Sequence, residues 1–492
     1  MTNSIVIGLD IGTTSTKAIA FNRNGIVIGE YEVEYPLHTP HHGWAEQDPL
    51  EIENATITAI NSLMKTGTIE ADAILAIGLS SAMHSLICID DEGEPLSPSI
   101  TWADGRAANQ ARRLKEQSPN LYQSTGTPIH PMSPLVKLMW MKESGYPQFI
   151  AADKFVSIKE FLLFRWFGSQ LVDYSIASAT GLFDSHTLNW NPDALKIAGI
   201  TEDKLFTPVP PTTEIRGLKR EIAYKTGLGE NVPFIIGASD GPLANLGIGA
   251  IKPGEVAITI GTSGAIRQLV PQTKTDLYQQ TFCYTFTESL SLIGGPTNSG
   301  GIVLKWLKEL VGENMSYESM SSLAALAPAG SDDLLFIPYL NGERAPIWNS
   351  NVRGNLFGLS LRHKKEHLVR AGMEGVVFSI FHVGQALERL AGKPEKILAS
   401  GGFARSPLWL QILADVFNQP VYVPLSHQSS AWGAAWLALY SIGEVASLEA
   451  IKEHIPMQGH FIPNIENHHI YLKMFSQYKN LSETINKHYQ LS

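Results

Sequence analysis

The first forty residues alternate between apolar runs and short polar interruptions. Ser4 to Leu9 is apolar and β-branched, Asp10 to Ser15 is polar around Gly12, and Thr16 to Phe21 is apolar again. That order predicts strand, turn, strand. Asn22 to Gly25 carries a turn signal. From Ile26 to Tyr35 the chain then alternates, with Val27, Tyr31 and Val33 set against Ile28, Glu30, Glu32 and Glu34, which predicts a third strand with one wet side. A helix is predicted from Pro49 to about Lys65, and Ala73 to Leu79 reads as a buried strand.

Roughly half a chain length later the pattern starts over. Phe234 to Ala238 and Glu255 to Ile260 read as buried strands, and the turn Gly261-Thr262-Ser263-Gly264 leads into a further strand, Ala265 to Val270. Ile11-Gly12-Thr13-Thr14 and Ile260-Gly261-Thr262-Ser263 occupy the same place in the two halves. Matched turns with matched flanking strands predict a duplicated α/β domain, divided at 1–244 and 245–492. Two helices carry clear start signals. Ser406-Pro407 is an N-cap followed by proline, with Trp409, Ile412, Leu413, Val416 and Phe417 at helical spacing behind it, and Ser133-Pro134 opens another that carries Lys137. Val421 to Leu425 reads as a strand.

Composition narrows the function classes. The chain has 492 residues, 44% hydrophobic and 17% charged, enough apolar material for two to four packed domains. Its net charge of −10 gives no basic excess to neutralise phosphates, so a nucleic-acid surface is not expected. Cys88 and Cys283 form no metal or redox spacing, and no apolar run is long enough to span a bilayer. A soluble, cytoplasmic protein without a targeting segment is the expectation.

Several segments could carry chemistry. In Asp10-Ile11-Gly12-Thr13-Thr14-Ser15, glycine admits close approach of an anion while amides and hydroxyls donate to it, and Asp10 suits Mg²⁺ as an oxygen ligand. Gly261-Thr262-Ser263-Gly264 repeats the anion-binding chemistry, although Gly, Thr and Ser also favour ordinary hairpin turns. Neither a Walker A loop nor a dinucleotide fingerprint is present. Gly237-Ala238-Ser239-Asp240-Gly241 has two readings: a nucleophile elbow with Ser239 as nucleophile, or a strand end presenting Asp240 to accept a hydroxyl proton. Gly241, Pro242, Gly247 and Gly249 make a poor start for the helix an elbow needs. Trp102, Asp104 and Arg106 together suit polyol recognition. His38, His41 and His42 read as a solvated loop, and Met83 with His84 could equally be core.

The whole pattern resembles the FGGY carbohydrate kinases of the actin-like ATPase superfamily, from Gly8 to about Tyr440. The segment 10–17 is similar to the family's first phosphate loop and 258–264 to its second. Residues 132–140 resemble the first family signature, and Gly354 to Leu359 with His367, Leu368 and Ala371 to Glu374 resemble the second, with Gly372 a departure. Ser400 to Trp409 is similar to the adenosine motif. The resemblance implies two ribonuclease-H-like domains of α/β class, an active site in the cleft between them, and ATP with Mg²⁺. It implies Asp240 as general base, Asp10 at the metal, and Gly12, Thr13, Thr14, Ser15, Gly261, Thr262, Gly301, Lys305, Gly402 and Ser406 around ATP. Met83, His84, Trp102, Asp104, Arg106, Met132 and Arg344 would join Asp240 in binding the acceptor. Ser80 to Ser85, Ile100 to Arg106 and Gly342 to Trp348 are most similar to the branch that phosphorylates gluconate, an open-chain sugar acid whose carboxylate a guanidinium fork pairs with; Arg106 and Arg344 are the candidates. A xylulose kinase of the same architecture, a serine hydrolase using Ser239 and a non-catalytic actin-like ATPase are the alternatives. A homodimer is common among such kinases.

Overall fold

The computed structural model describes residues 4–490 apart from 68, 313, 426 and 427, with residue 490 described by its backbone alone. Two sheets dominate it. In the first, Ile5–Ile11 pairs antiparallel with Ser15–Asn22 on one side and parallel with Ile74–Ser81 on the other. Val27–Glu34 extends the hairpin to the sheet edge, and Phe234–Ser239 and Glu214–Ile215 complete six strands. Every residue of Ile5–Ile11 except Asp10 is buried, as expected of a central strand covered on both faces.

The second sheet repeats the motif. Glu255–Ile260 pairs antiparallel with Gly264–Pro271 and parallel with Lys396–Ser400. Leu290–Thr297, Phe282–Thr285, Val421–Pro424 and Met457–Phe461 bring it to seven strands. Each sheet therefore carries a tight hairpin beside a parallel strand, and each hairpin turn is one of the two Gly-Thr turns. Helix Pro49–Met64 packs on the first sheet, while Gly301–Val311 and Lys365–Ala391 pack within the second core.

One helix was not expected from the pattern of residues. Ser429–Ser441 comes late in the chain yet lies on the first sheet, with Ala431, Trp432, Ala434 and Ala435 buried against Val6, Ile19, Phe21 and Ala76. Glycines let the backbones touch: a Cβ at Gly8 would stand 2.0 Å from Ala431 O, and one at Gly78 would stand 2.0 Å from Ala434 O. A helix also forms at Asp240–Gly247, against the expectation drawn from its glycines. Pro242 falls in the first turn, where a missing amide costs nothing. Gly247 is needed for packing, because a Cβ there would meet Ser429 O at 1.9 Å, and one at Gly433 would meet Leu243 O at 2.0 Å.

Gly78→Ala should lower stability by about 1–3 kcal/mol, the usual cost of forcing an extra carbon into a packed core. Gly229→Ala, where a Cβ meets nothing within 4 Å, should leave the urea midpoint in place. Equal midpoints for the two variants would contradict the close helix-on-sheet seat.

Candidate active site

The ends of the two hairpins and the start of helix Asp240–Gly247 meet in a cleft of about 340 Å³. Its walls include Thr13 from the first turn, Gly261, Thr262 and Ser263 from the second, and Asp240, Met83, His84, Trp102, Met132, Arg267, Tyr284 and Arg344. Each turn is closed by its glycine amide, Gly12 N–H donating to Ser15 O at 2.9 Å and Gly261 N–H, one residue tighter, to Ser263 O at 2.9 Å. The second turn is braced from behind, since Gly301 N–H donates to Gly261 O at 2.7 Å and Ile302 N–H donates to Thr262 O at 3.1 Å. Trp102 Nε1–H donates to Thr13 Oγ1 at 2.9 Å, so the indole that walls the acceptor pocket also fixes the first turn.

The carboxylates define the chemistry. Asp10 accepts from Ser80 Oγ at 2.7 Å, and burial, reinforced by the like charge of Asp240, raises its pKa to about 6. Burial raises Asp240 as well, opposed by the positive charge of Arg267. Asp10 offers a carboxylate oxygen close enough to Asp240 for their like charges to interact, and such an oxygen would suit a hard divalent cation such as Mg²⁺.

Beside the expected His84 and Arg344, this side of the cleft is organised by Lys137, to which the sequence assigned no role there. Lys137 is buried and donates its ammonium to the carbonyls of His84, Ile100 and Thr101, at 2.6, 3.0 and 2.8 Å. It thereby ties the His84 loop to the Trp102 loop. His84 sits at φ 69°, with Nδ1 2.7 Å from Ala179 O and Nε2 3.3 Å from Tyr284 Oη. Burial lowers its pKa to about 3, so the ring is neutral; Nδ1–H donates to the carbonyl and Nε2 accepts from tyrosine. Arg344 lies over the Trp102 ring, and its Nε–H donates to Asn298 Oδ1 at 2.8 Å while Nη2 donates to Thr297 O at 3.1 Å. Arg267 and Tyr284 carried no motif; only alternation along strand Gly264–Pro271, which turns Arg267 away from the core positions Ile266 and Gln268, could have flagged the first.

Other expected residues fall elsewhere. Arg106 does not line the cleft: its guanidinium stacks 3.6 Å over Trp44 and donates to Asp104 and Glu46 at 2.8 and 2.5 Å. Asp104 is buried with it and accepts from Ala45 N–H at 2.7 Å. The pair is a loop clasp, which corrects the expectation that either residue reads the acceptor. Ser15 donates to Glu32 Oε1 at 2.5 Å, and its hydroxyl is committed there. Ser239 Oγ is buried without a hydrogen-bond partner, so no base activates it and the elbow reading has no support. Gly12 and Thr14 flank the first turn, with Thr14 exposed. Lys305 and Gly402 are exposed on the second unit, outside the acceptor pocket. Ser406 caps helix Pro407–Phe417 by accepting from Trp409 N–H at 3.3 Å, and its hydroxyl lies 2.7 Å from that of Ser321.

Two hairpin sheets with hydroxyl-bearing turns, a carboxylate in their cleft and a pocket walled by Trp102, His84, Arg267 and Arg344 suit a phosphotransferase site. The FGGY family of carbohydrate kinases matches through its N-terminal domain at residues 5–247 and its C-terminal domain at 256–442, and the chain belongs to that family. It is 43% identical to a protein named gluconokinase from Bacillus subtilis (strain 168), over 99% of this chain and 97% of that one. It is 33% identical to a xylulose kinase of the same organism, over 97% and 96%. The crystal structure of a gluconate kinase from Lactobacillus acidophilus superposes with a TM-score of 0.96 at 36% identity, covering 99% of both chains. The fold is accordingly the actin-like ATPase fold, and the protein is an ATP-using carbohydrate kinase that transfers phosphate to an alcohol. No helix among the described residues is long and apolar enough to cross a membrane.

Because the folded-state pKa of Asp10 lies above its ordinary value of 3.8, its ionisation costs stability, and that cost grows as pH rises from about 4 to about 6. Asp10→Asn should therefore raise the Tm of the unliganded protein at pH 7.5 and lose that advantage by pH 4. An unchanged or lower Tm at pH 7.5 contradicts the assignment of strain to this carboxylate.

Proposed function

We propose that the chain transfers the γ-phosphoryl group of ATP to the terminal hydroxyl of D-gluconate, giving 6-phospho-D-gluconate. The observation that carries the reading is near-full-length identity of 43% to a gluconokinase against 33% to a xylulose kinase. An acceptor pocket with two guanidiniums, Arg344 and Arg267, supports it, since gluconate is an anionic polyol.

The triphosphate lies between the two turns, where Thr13, Gly261 and Thr262 offer amides and hydroxyls to its oxygens. Asp240, unpaired by any lysine or arginine at ion-pair distance, accepts the proton of the acceptor hydroxyl as that oxygen attacks phosphorus in line. Asp10, held by Ser80, would hold Mg²⁺, which would offset negative charge on the phosphate oxygens. Positioning and charge stabilisation supply most of the rate in such transfers. Trp102 and Met132 exclude water from the acceptor side, and so favour transfer over hydrolysis.

Asp240→Asn should lose about 10²-fold or more in kcat while still binding ATP, the usual scale of a lost general base. Near-wild-type turnover would remove Asp240 from that role. A coupled assay of purified protein on gluconate, xylulose, ribulose and glycerol should give the highest kcat/KM with gluconate; a higher value with xylulose would transfer the chain to the xylulose kinases.

A further inference from the structure

Of the two guanidiniums in the cleft, one is already engaged. Arg344 spends Nε and Nη2 on Asn298 and Thr297 and rests against Trp102. Arg267 spends nothing: none of its nitrogens forms a hydrogen bond or ion pair with any described residue. It stands on strand Gly264–Pro271, the arm of the hairpin leaving the second phosphate turn, and is close-packed from the other unit, a Cβ at Gly241 falling 3.7 Å from its Nε. Phe282, Tyr284 and Leu292 line the same stretch of cleft with apolar surface. Burial there pulls the Arg267 pKa down, and Asp240 pulls it back up without reaching ion-pair distance.

A cation held in a half-apolar wall with a full set of unused donors suits a partner of definite chemistry. Guanidinium donors are stable away from water when an anion takes them, and the planar fork matches the two oxygens of a carboxylate. Asp240 is not that partner, since a bidentate pair with it would remove the base from the acceptor hydroxyl. Strand rise of about 3.3 Å per residue sets Arg267 roughly 10 Å beyond the phosphate turn at Gly264, on the acceptor side of the transferring group.

We infer that Arg267 is the residue that recognises the acceptor's carboxylate, and so sets the preference for a sugar acid over a neutral sugar, with Arg344 steering hydroxyls beside it. This rests on the gluconate reading above. A neutral ketose would leave the Arg267 fork unmatched, and the cost of an unpaired charge would act against it as negative selection.

The test is steady-state kinetics of the full chain and of Arg267→Met and Arg267→Lys, on D-gluconate and D-xylulose, over a range of pH. Arg267→Met should raise KM for gluconate about 10- to 100-fold with kcat changed far less, the loss expected for a charge-assisted bidentate pair. The gluconate-to-xylulose ratio of kcat/KM should fall by the same order, and Arg267→Lys should fall between, keeping the charge and losing the fork. The inference is overturned if gluconate KM holds while kcat drops and the acidic limb of the pH profile moves upward, because Arg267 would then act on the ionisation of Asp240. A wild-type chain that fails on gluconate defeats the functional reading itself, an outcome distinct from a variant that keeps its selectivity. Should Arg267→Met not fold, the KM and ratio for Arg267→Lys decide the matter in the same way.

Discussion

The position of the Asp240 carboxylate depends on a contact between backbones. Helix Asp240–Gly247 crosses helix Ser429–Ser441 at Gly247 and Gly433, and the second helix sits on the first sheet through Gly8 and Gly78. At each place a side chain would collide with a carbonyl, so the approach distance is set by hard contact and has no slack. Asp240 is the first residue of the crossing helix, and its carboxylate is thereby fixed relative to the strand carrying Asp10. A late segment of the chain thus builds the floor under an early site. The arrangement joins the two duplicated units more tightly than a linker would.

Within that frame the cleft is electrostatically unfinished. Asp10 and Asp240 repel each other, and Arg267 has no bonded partner among the described residues. Both arrangements cost stability, whereas the buried Lys137 ammonium has a carbonyl for each of its three donors. Contrast the Arg106–Asp104–Glu46 cluster, where every charge has its mate and the group serves only to hold a loop. Arg106 is thus paired and holds a loop, while Arg267 is unpaired and lines the cleft.

That distinction explains what the sequence could disclose. Apolar runs and Gly-Thr turns are local features, so the two hairpins, the helix from Pro49 and the capped helix from Pro407 were legible, as was the doubling of the fold. Asp240 was legible as a carboxylate at a strand end. The roles of Arg106 and Arg267 were not, because an arginine's function depends on which carboxylates stand within reach, and Glu46 is sixty positions from Arg106. Trp102-Asp104-Arg106 resembled a recognition loop; folding turned only the tryptophan into the cleft. The seat of Ser429–Ser441 on the first sheet was equally hidden, since the glycines that admit it lie more than 350 positions away.

The two ends of the cleft are held together differently. Strand Phe282–Thr285 forms one edge of the second sheet, yet it is pinned to the first unit. Cys283 N–H donates to Gly126 O at 2.8 Å, Tyr122 Oη donates to Thr281 O at 2.7 Å, and Thr285 N–H donates to Ser178 Oγ at 3.2 Å. Tyr284, from the middle of that strand, donates to His84 at the pocket floor. The acceptor end is therefore a junction shared by both units, and parting it would break four buried hydrogen bonds at once. The two Gly-Thr turns have no such bridge between them among the described residues, and each is braced within its own unit. The turns can therefore part at less cost than this junction, and the pocket beside it is preformed. A preformed pocket takes a ligand without the entropy cost of first assembling its walls.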